Sequence, residues 1–156
     1  MDHAIDMTKR IPGIYWHAAA ILKVELDQIV RSPLEELRIE ISGGAITRRV
    51  DAEVGPLING HATLRVPVRW KAAEHPHLFP VMDADLHVSD LDGDHIEIRF
   101  VGAYRAPLGA VGAVADTLAG SRLAEKSLNT FLTDVARRLE ATLVEHSGRA
   151  DSTPPS

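Results

Sequence analysis

The feature that most constrains this chain is a change of period in its C-terminal half. His95-Ile96-Glu97-Ile98-Arg99-Phe100-Val101 alternates apolar and polar residues, as a half-buried strand does. The run ends in Gly102-Ala103-Tyr104-Arg105-Ala106-Pro107-Leu108-Gly109, and beyond it apolar residues recur at helical spacing. Leu128, Phe131, Leu132, Val135, Leu139 and Leu143 form one stripe, while Glu125, Lys126, Asp134, Arg137, Arg138 and Glu140 occupy the other side. From Ser121 to His146 such a helix would span ~39 Å, enough to cross a small domain. Gly109 to Gly120 is made mostly of small residues and reads as an N-terminal extension of that helix, with a kink at Gly120. The pattern predicts an α+β fold in which a curved antiparallel β-sheet wraps around a long C-terminal α-helix.

Upstream, His17 to Leu26 places Ala18, Ala20, Leu22, Val24 and Leu26 at alternating positions and reads as a strand. Ser32-Pro33 followed by Glu35-Glu36 predicts a short helical turn, and Leu37 to Ile41 alternates again before Ser42-Gly43-Gly44 stops it. Two hairpins can be given a register, because residues directly opposite in an antiparallel pair share a face. A loop Ile58-Asn59-Gly60, with Gly60 left-handed, sets Val54 opposite Leu64 and Ala52 opposite Val66. A loop Leu91-Asp92-Gly93 sets Leu86 opposite Ile98 and Val88 opposite Ile96. On the other face it pairs Asp85 with Arg99 and His87 with Glu97.

Composition narrows the partners. A chain of 156 residues, 45% apolar and 25% charged, suits one soluble domain with a core of its own. The net charge of −5 and the scattered arginines (Arg48, Arg65, Arg69, Arg99, Arg137) argue against a nucleic-acid binder, which needs a massed basic surface. With no cysteine there is no disulfide, thiolate metal site or cysteine nucleophile. No signal peptide and no apolar run long enough to enter a membrane are evident, which predicts a cytoplasmic protein. Residues 1–12 are expected to be a loose N-terminus, 13–146 a single domain, and 147–156 a disordered tail.

Several segments in order resemble the START/Bet v 1-like (SRPBCC) helix-grip superfamily. They are Val66-Pro67-Val68-Arg69-Trp70, Phe79-Pro80 leading to Ala84-Asp85-Leu86, Gly102-x-Tyr104-x-x-Pro107-Leu108-Gly109, and the long last helix. The likeness runs from about Val50 to Leu143 and is nearest to small bacterial members without an assigned activity. It implies a cavity between sheet and C-terminal helix, which various members use for sterols, lipids, polyketides or other apolar molecules. Members with large cavities insert two helices after the first strand. Here Gln28 to Glu36 leaves room for little more than one turn.

The polar motifs are weak. His75-Pro76-His77 with Asp83, Asp85 and His87 offers metal-ligand types without a ligand spacing, and these read as surface polars. Asp90-Leu91-Asp92-Gly93-Asp94 has its glycine too early for a calcium loop and Val101 where a bidentate glutamate belongs, so it reads as a hairpin turn. Gly120 to Ser127 lacks the second glycine of a phosphate loop. Tyr104 and Asp116 are the polar candidates for a cavity, as a hydrogen-bond donor and a buried acid. Plain readings stand beside them, a plug at the cavity mouth and a solvated helix-face acid. Trp70, Phe79, Phe100 and Phe131 are core or cavity wall, with Gly112 in the small-residue tract beside them.

The expected function is binding of a small apolar ligand in that cavity, by Trp70, Phe79, Phe100, Tyr104, Gly112, Asp116 and Phe131, without metal or cofactor. Two alternatives stay open. One is a polyketide cyclase-like enzyme using Tyr104 and Asp116, and the other a filled domain that contacts another protein, for instance a second copy through a strand edge.

Overall fold

The computed structural model describes residues 2–41, 46–73, 81–105 and 114–152, with side chains described over 4–37, 51–71, 73, 81–103 and 126–147. Strand β1 (Asp2–Pro12) leads into helix α1 (Tyr15–Leu26), a π-helical turn (Asp27–Arg31) and a short helix α2 (Ser32–Glu35). Strands β2 (Arg38–Ile41), β3 (Ile46–Val54), β4 (Ile58–Asn59), β5 (Thr63–Ala72), β6 (Val81–Asp90) and β7 (His95–Arg105) follow, and helix α3 (Val114–Ser152) comes last. The strands form one antiparallel sheet in the order β1-β7-β6-β5-β3-β2, with β4 paired to β5.

The alternation holds throughout the central strands. Leu64, Val66, Val68 and Trp70 on β5, Met82, Ala84, Leu86 and Val88 on β6, and Ile96, Ile98 and Phe100 on β7 are all buried. Between them, Arg65, Arg69, Asp83 and Arg99 are exposed. Leu128, Phe131, Leu132, Val135, Leu139 and Leu143 of α3 join the same core. One face of the sheet is dry because α3 covers it, and the other is wet.

Both hairpin registers differ from those expected, each by an even number of residues. In the first, Val54 pairs with Val68 and Ala52 with Trp70. Pro56 has no N–H to continue the ladder, and Gly55 donates its own to the Pro67 carbonyl at 2.8 Å. Beyond that bulge β4 resumes at Ile58 opposite Arg65. The reversal then falls on His61-Ala62, with the left-handed residue at Ala62 (φ +51°) in place of Gly60.

In the second hairpin Leu86 pairs with Phe100 and Val88 with Ile98. The turn sits one residue later than expected because Asp92 holds it there. Its Oδ1 accepts the amide N–H groups of Asp94 (3.0 Å) and His95 (2.9 Å) and lies 3.0 Å from His95 Nδ1. Gly93 takes the left-handed position at φ +90°. His87 consequently faces Arg99 across the ladder, and the Asp85–Arg99 and His87–Glu97 pairings do not form. Arg99 bonds Asp6 of β1 instead (Nε to Oδ1, 2.8 Å), while Arg65 lies 3.7 Å from Asp85 and Arg10 3.4 Å from Glu97.

The amide of Asp94, and then the His95 side chain, hold the Asp92 carboxyl below the usual carboxylate range. A depressed folded-state pKa means stability present above the ordinary carboxylate pKa and lost as pH falls through the folded one. Asp92→Ala should therefore lower the urea midpoint near pH 6, and the gap to wild type should close by about pH 2. A gap that persists in acid would show that the turn does not depend on the ionised carboxylate.

Three N- and C-terminal expectations are corrected. Residues 2–12, expected to be loose, form β1, paired from Asp2↔Arg105 to Pro12↔His95. Ile5 and Ile11 are buried at alternate positions, but Lys9 interrupts the apolar set and hides the period in the sequence. Second, His17–Leu26 is helix and not strand. Ala18 to Leu22 is continuously apolar, and Lys23 and Glu25 alternate with Val24 and Leu26 after it, so a period of two could be picked out of the stretch. Tyr15, Ala18, Ala19 and Leu22, at i, i+3, i+4 and i+7, are buried together with Ile21, and alanine favours helix over strand. Third, α3 runs on through Gly148 to Ser152, past the tail boundary expected at 147.

Two helices, not one turn, therefore separate β1 from the rest of the sheet. Ile29, Val30, Pro33 and Leu34 bury their connection against the core. Arg138 of α3 fastens it, donating to the Gln28 carbonyl and to Glu36 Oε2, both at 3.1 Å. Among the described residues no helix is long and apolar enough to cross a membrane.

Candidate functional site

The inner face of the sheet can be read as rows running across the strands. One row is Ala52–Trp70–Met82–Tyr104, and the next is Val54–Val68–Ala84–Gly102–Ile5. Beyond it comes Val66–Leu86–Phe100–Met7. Large side chains on the outer two rows flank a middle row with almost no volume at Ala84 and Gly102. The backbones meet closely there. A β-carbon on Gly102 would lie 2.3 Å from Ala84 Cβ and 2.4 Å from the Asp83 carbonyl oxygen.

Three of the expected site residues come together beside this row. Trp70 (4% exposed) stacks on Phe100 with centroids 6.0 Å apart and planes at 19°. Phe131 of α3 meets both edge-on, at 5.9 Å from Trp70 and 5.5 Å from Phe100. These offset and edge-to-face geometries are the favoured ones for aromatic pairs. The rings bridge sheet and helix, so Trp70, Phe100 and Phe131 are core residues that can also wall a cavity.

Burial varies along the inner face. Leu64, Val66, Leu86, Val88, Ile96, Ile98 and Phe100 are sealed. Ala52, Val54 and Gly102 are only half-buried although they share that face, and Ala52 and Val54 pack at the margin of the core. Ala52 and Val54 on β3 and Gly102 on β7 thus mark the half-buried positions of the Trp70 and Gly102 rows, while Val68, Trp70, Met82 and Ala84 between them are buried.

Tyr104 pairs with Met82 and with His3, and Asp116 lies in the first turn of α3. Phe79 and Gly112 lie outside the described residues. Met82, Ala84, Val54 and Gly102 belong to the region but were not among the expected site residues. Alternation does put Ala84 and Gly102 on the apolar face, but the register expected from the turn would have set Ala84 opposite Phe100. Only the true register brings the two smallest residues together.

The histidine and aspartate candidates sit elsewhere. Asp83, Asp85 and His87 occupy alternate positions on the outer face of β6, and His75 and His77 lie outside the described residues. Among the described residues no group of three or more histidine or acidic side chains is placed to hold a metal ion.

No family model and no curated protein matches the sequence. Solved structures of similar shape are found at low identity. A conserved protein from Geobacillus kaustophilus has a TM-score of 0.56 at 9% identity, over 91% of this chain and 97% of that one. The allergen Ara h 8.0201 has a TM-score of 0.54 at 10% identity, over 90% and 99%. The Zhui aromatase/cyclase from Streptomyces sp. R1128 has a TM-score of 0.53 at 8% identity, over 90% and 94%. Identities this low speak to the fold alone. With its antiparallel sheet closed on one long C-terminal helix, this chain has the START/Bet v 1-like helix-grip fold.

Proposed function

We propose that this protein binds a small apolar molecule on the concave face, between the Ala52–Trp70–Met82 row and α3. The observation that carries the reading is the contrast along one face. Leu86, Val88 and Ile98 are sealed, while Ala52, Val54 and Gly102 are half-buried, and Ala84 and Gly102 put little side-chain volume between the Trp70 and Phe100 rows. Pockets of this kind are apolar and concave, with few polar groups. The Zhui protein that shares the fold is an aromatase/cyclase, which puts a cyclase role within the range of the architecture.

Ala52→Phe should fill the opening from its half-buried position without disturbing the sealed core. Affinity for the neutral dye N-phenyl-1-naphthylamine is expected to fall at least about tenfold, with a thermal midpoint within about 3 °C of wild type. Unchanged dye affinity in a folded variant would remove the pocket from this place.

A second reading is favoured by the ring cluster. Trp70, Phe100 and Phe131 already fill the space between sheet and helix with their own side chains. On that reading the domain is packed solid and acts by contacting another protein.

A further inference from the structure

The indole N–H of Trp70 raises a question that packing alone does not answer. Tryptophan carries one donor and no acceptor, and when buried it usually finds a partner. Trp70 is 4% exposed, and its ring neighbours among the described residues are Phe100 and Phe131. Across the ladder it sits between Ala52 and Met82. Alkyl, thioether and arene groups offer no strong acceptor, and among the described residues the indole N–H makes no hydrogen bond. A buried donor left unpaired costs about 1–3 kcal/mol. Trp70 itself stands one row from Ala84 and Gly102, with half-buried Ala52 beside it.

The charge available there restricts what could satisfy it. Neither the Trp70 row nor the Gly102 row contains a lysine or arginine. Set against those rows, a carboxylate would be desolvated without a lysine or arginine from them, at a cost far above what one hydrogen bond returns. An uncharged oxygen avoids that cost and still accepts the N–H. We infer that Trp70 is a specificity-determining residue that selects ligands with a neutral carbonyl oxygen on an apolar body. The inference rests on the pocket proposed above and adds the chemical class of its occupant.

The test compares two probes of similar shape, 2-acetylnaphthalene and 2-ethylnaphthalene, on the whole chain. Wild type is expected to bind the ketone about tenfold more tightly than the hydrocarbon, the size of one well-placed hydrogen bond. Trp70→Phe keeps the ring, removes the donor, and should bind both probes with the weaker affinity. Because Trp70→Phe disturbs a packed cluster, an independent readout stands beside it. The chain has two tryptophans, so a Trp16→Phe variant leaves Trp70 as the only indole N–H resonance. That resonance should move downfield with the ketone and not with the hydrocarbon. Equal affinities and no shift, with both probes bound, would overturn the role of Trp70 while the pocket stands. Binding of neither probe would overturn the pocket and the selection together.

Discussion

Gly102→Ala is expected to be the most damaging single methyl group that can be added to this protein. The new carbon would fall 2.3 Å from Ala84 Cβ, 2.4 Å from Ala84 Cα and 2.4 Å from the Asp83 carbonyl oxygen. Two of those atoms are backbone of the adjacent strand, which cannot turn aside as a side-chain tip can. Relief requires β6 and β7 to separate where they bond, in the middle of the sheet. Overpacking in a well-packed core typically costs 1–3 kcal/mol, and a backbone clash belongs at or above the top of that range. A loss of about 3 kcal/mol or more should lower the melting midpoint by about 6–12 °C.

Gly93→Ala is the control. Nothing lies within 4 Å of a β-carbon there, and only the left-handed backbone at φ +90° resists the change. Its cost should be about 1 kcal/mol. If Gly102→Ala proved no worse than Gly93→Ala, the close approach of β6 and β7 would be refuted.

Phe131→Ala carries the second large effect and locates any pocket relative to the ring cluster. Phe131 is 1% exposed and touches Trp70 and Phe100 edge-on. Truncating a phenyl ring enclosed in this way costs about 3–5 kcal/mol, because the transfer energy is lost and a void remains. Urea denaturation at neutral pH measures it. A loss in that range means that sheet, helix and ring are fully engaged at this point, so any ligand lies beyond the ring cluster, toward Ala52 and Gly102. A loss below about 1.5 kcal/mol would mean the ring faces open space, and the pocket would then extend under α3 itself.

The inward-facing residues were legible from alternation and stripe alone. Leu64, Leu86, Ile98, Phe131 and Val135 are all buried in one core, as the periods of two and 3.6 require. The aromatic candidates were legible for the same reason, since Trp70 and Phe100 lie on inward positions and Phe131 on the stripe. Helix α1 was not, because an unbroken apolar run carries both periods at once and the neighbours decide between them. Strand β1 was not, because an edge strand can place Lys9 on its inward side where the side chain reaches water around the rim.

Which side of each strand meets the helix is therefore a local property, determined by the order of the residues. How far each strand slides along its partner is not. The observed registers differ from the expected ones by four residues and by two, and any even slip buries the same face. The bulge at Gly55-Pro56 and the carboxylate of Asp92 settled the slip, through bonds to residues that the periodic pattern ignores. That choice set Gly102 against Ala84 one row from Trp70, so the candidate site exists only in the assembled sheet.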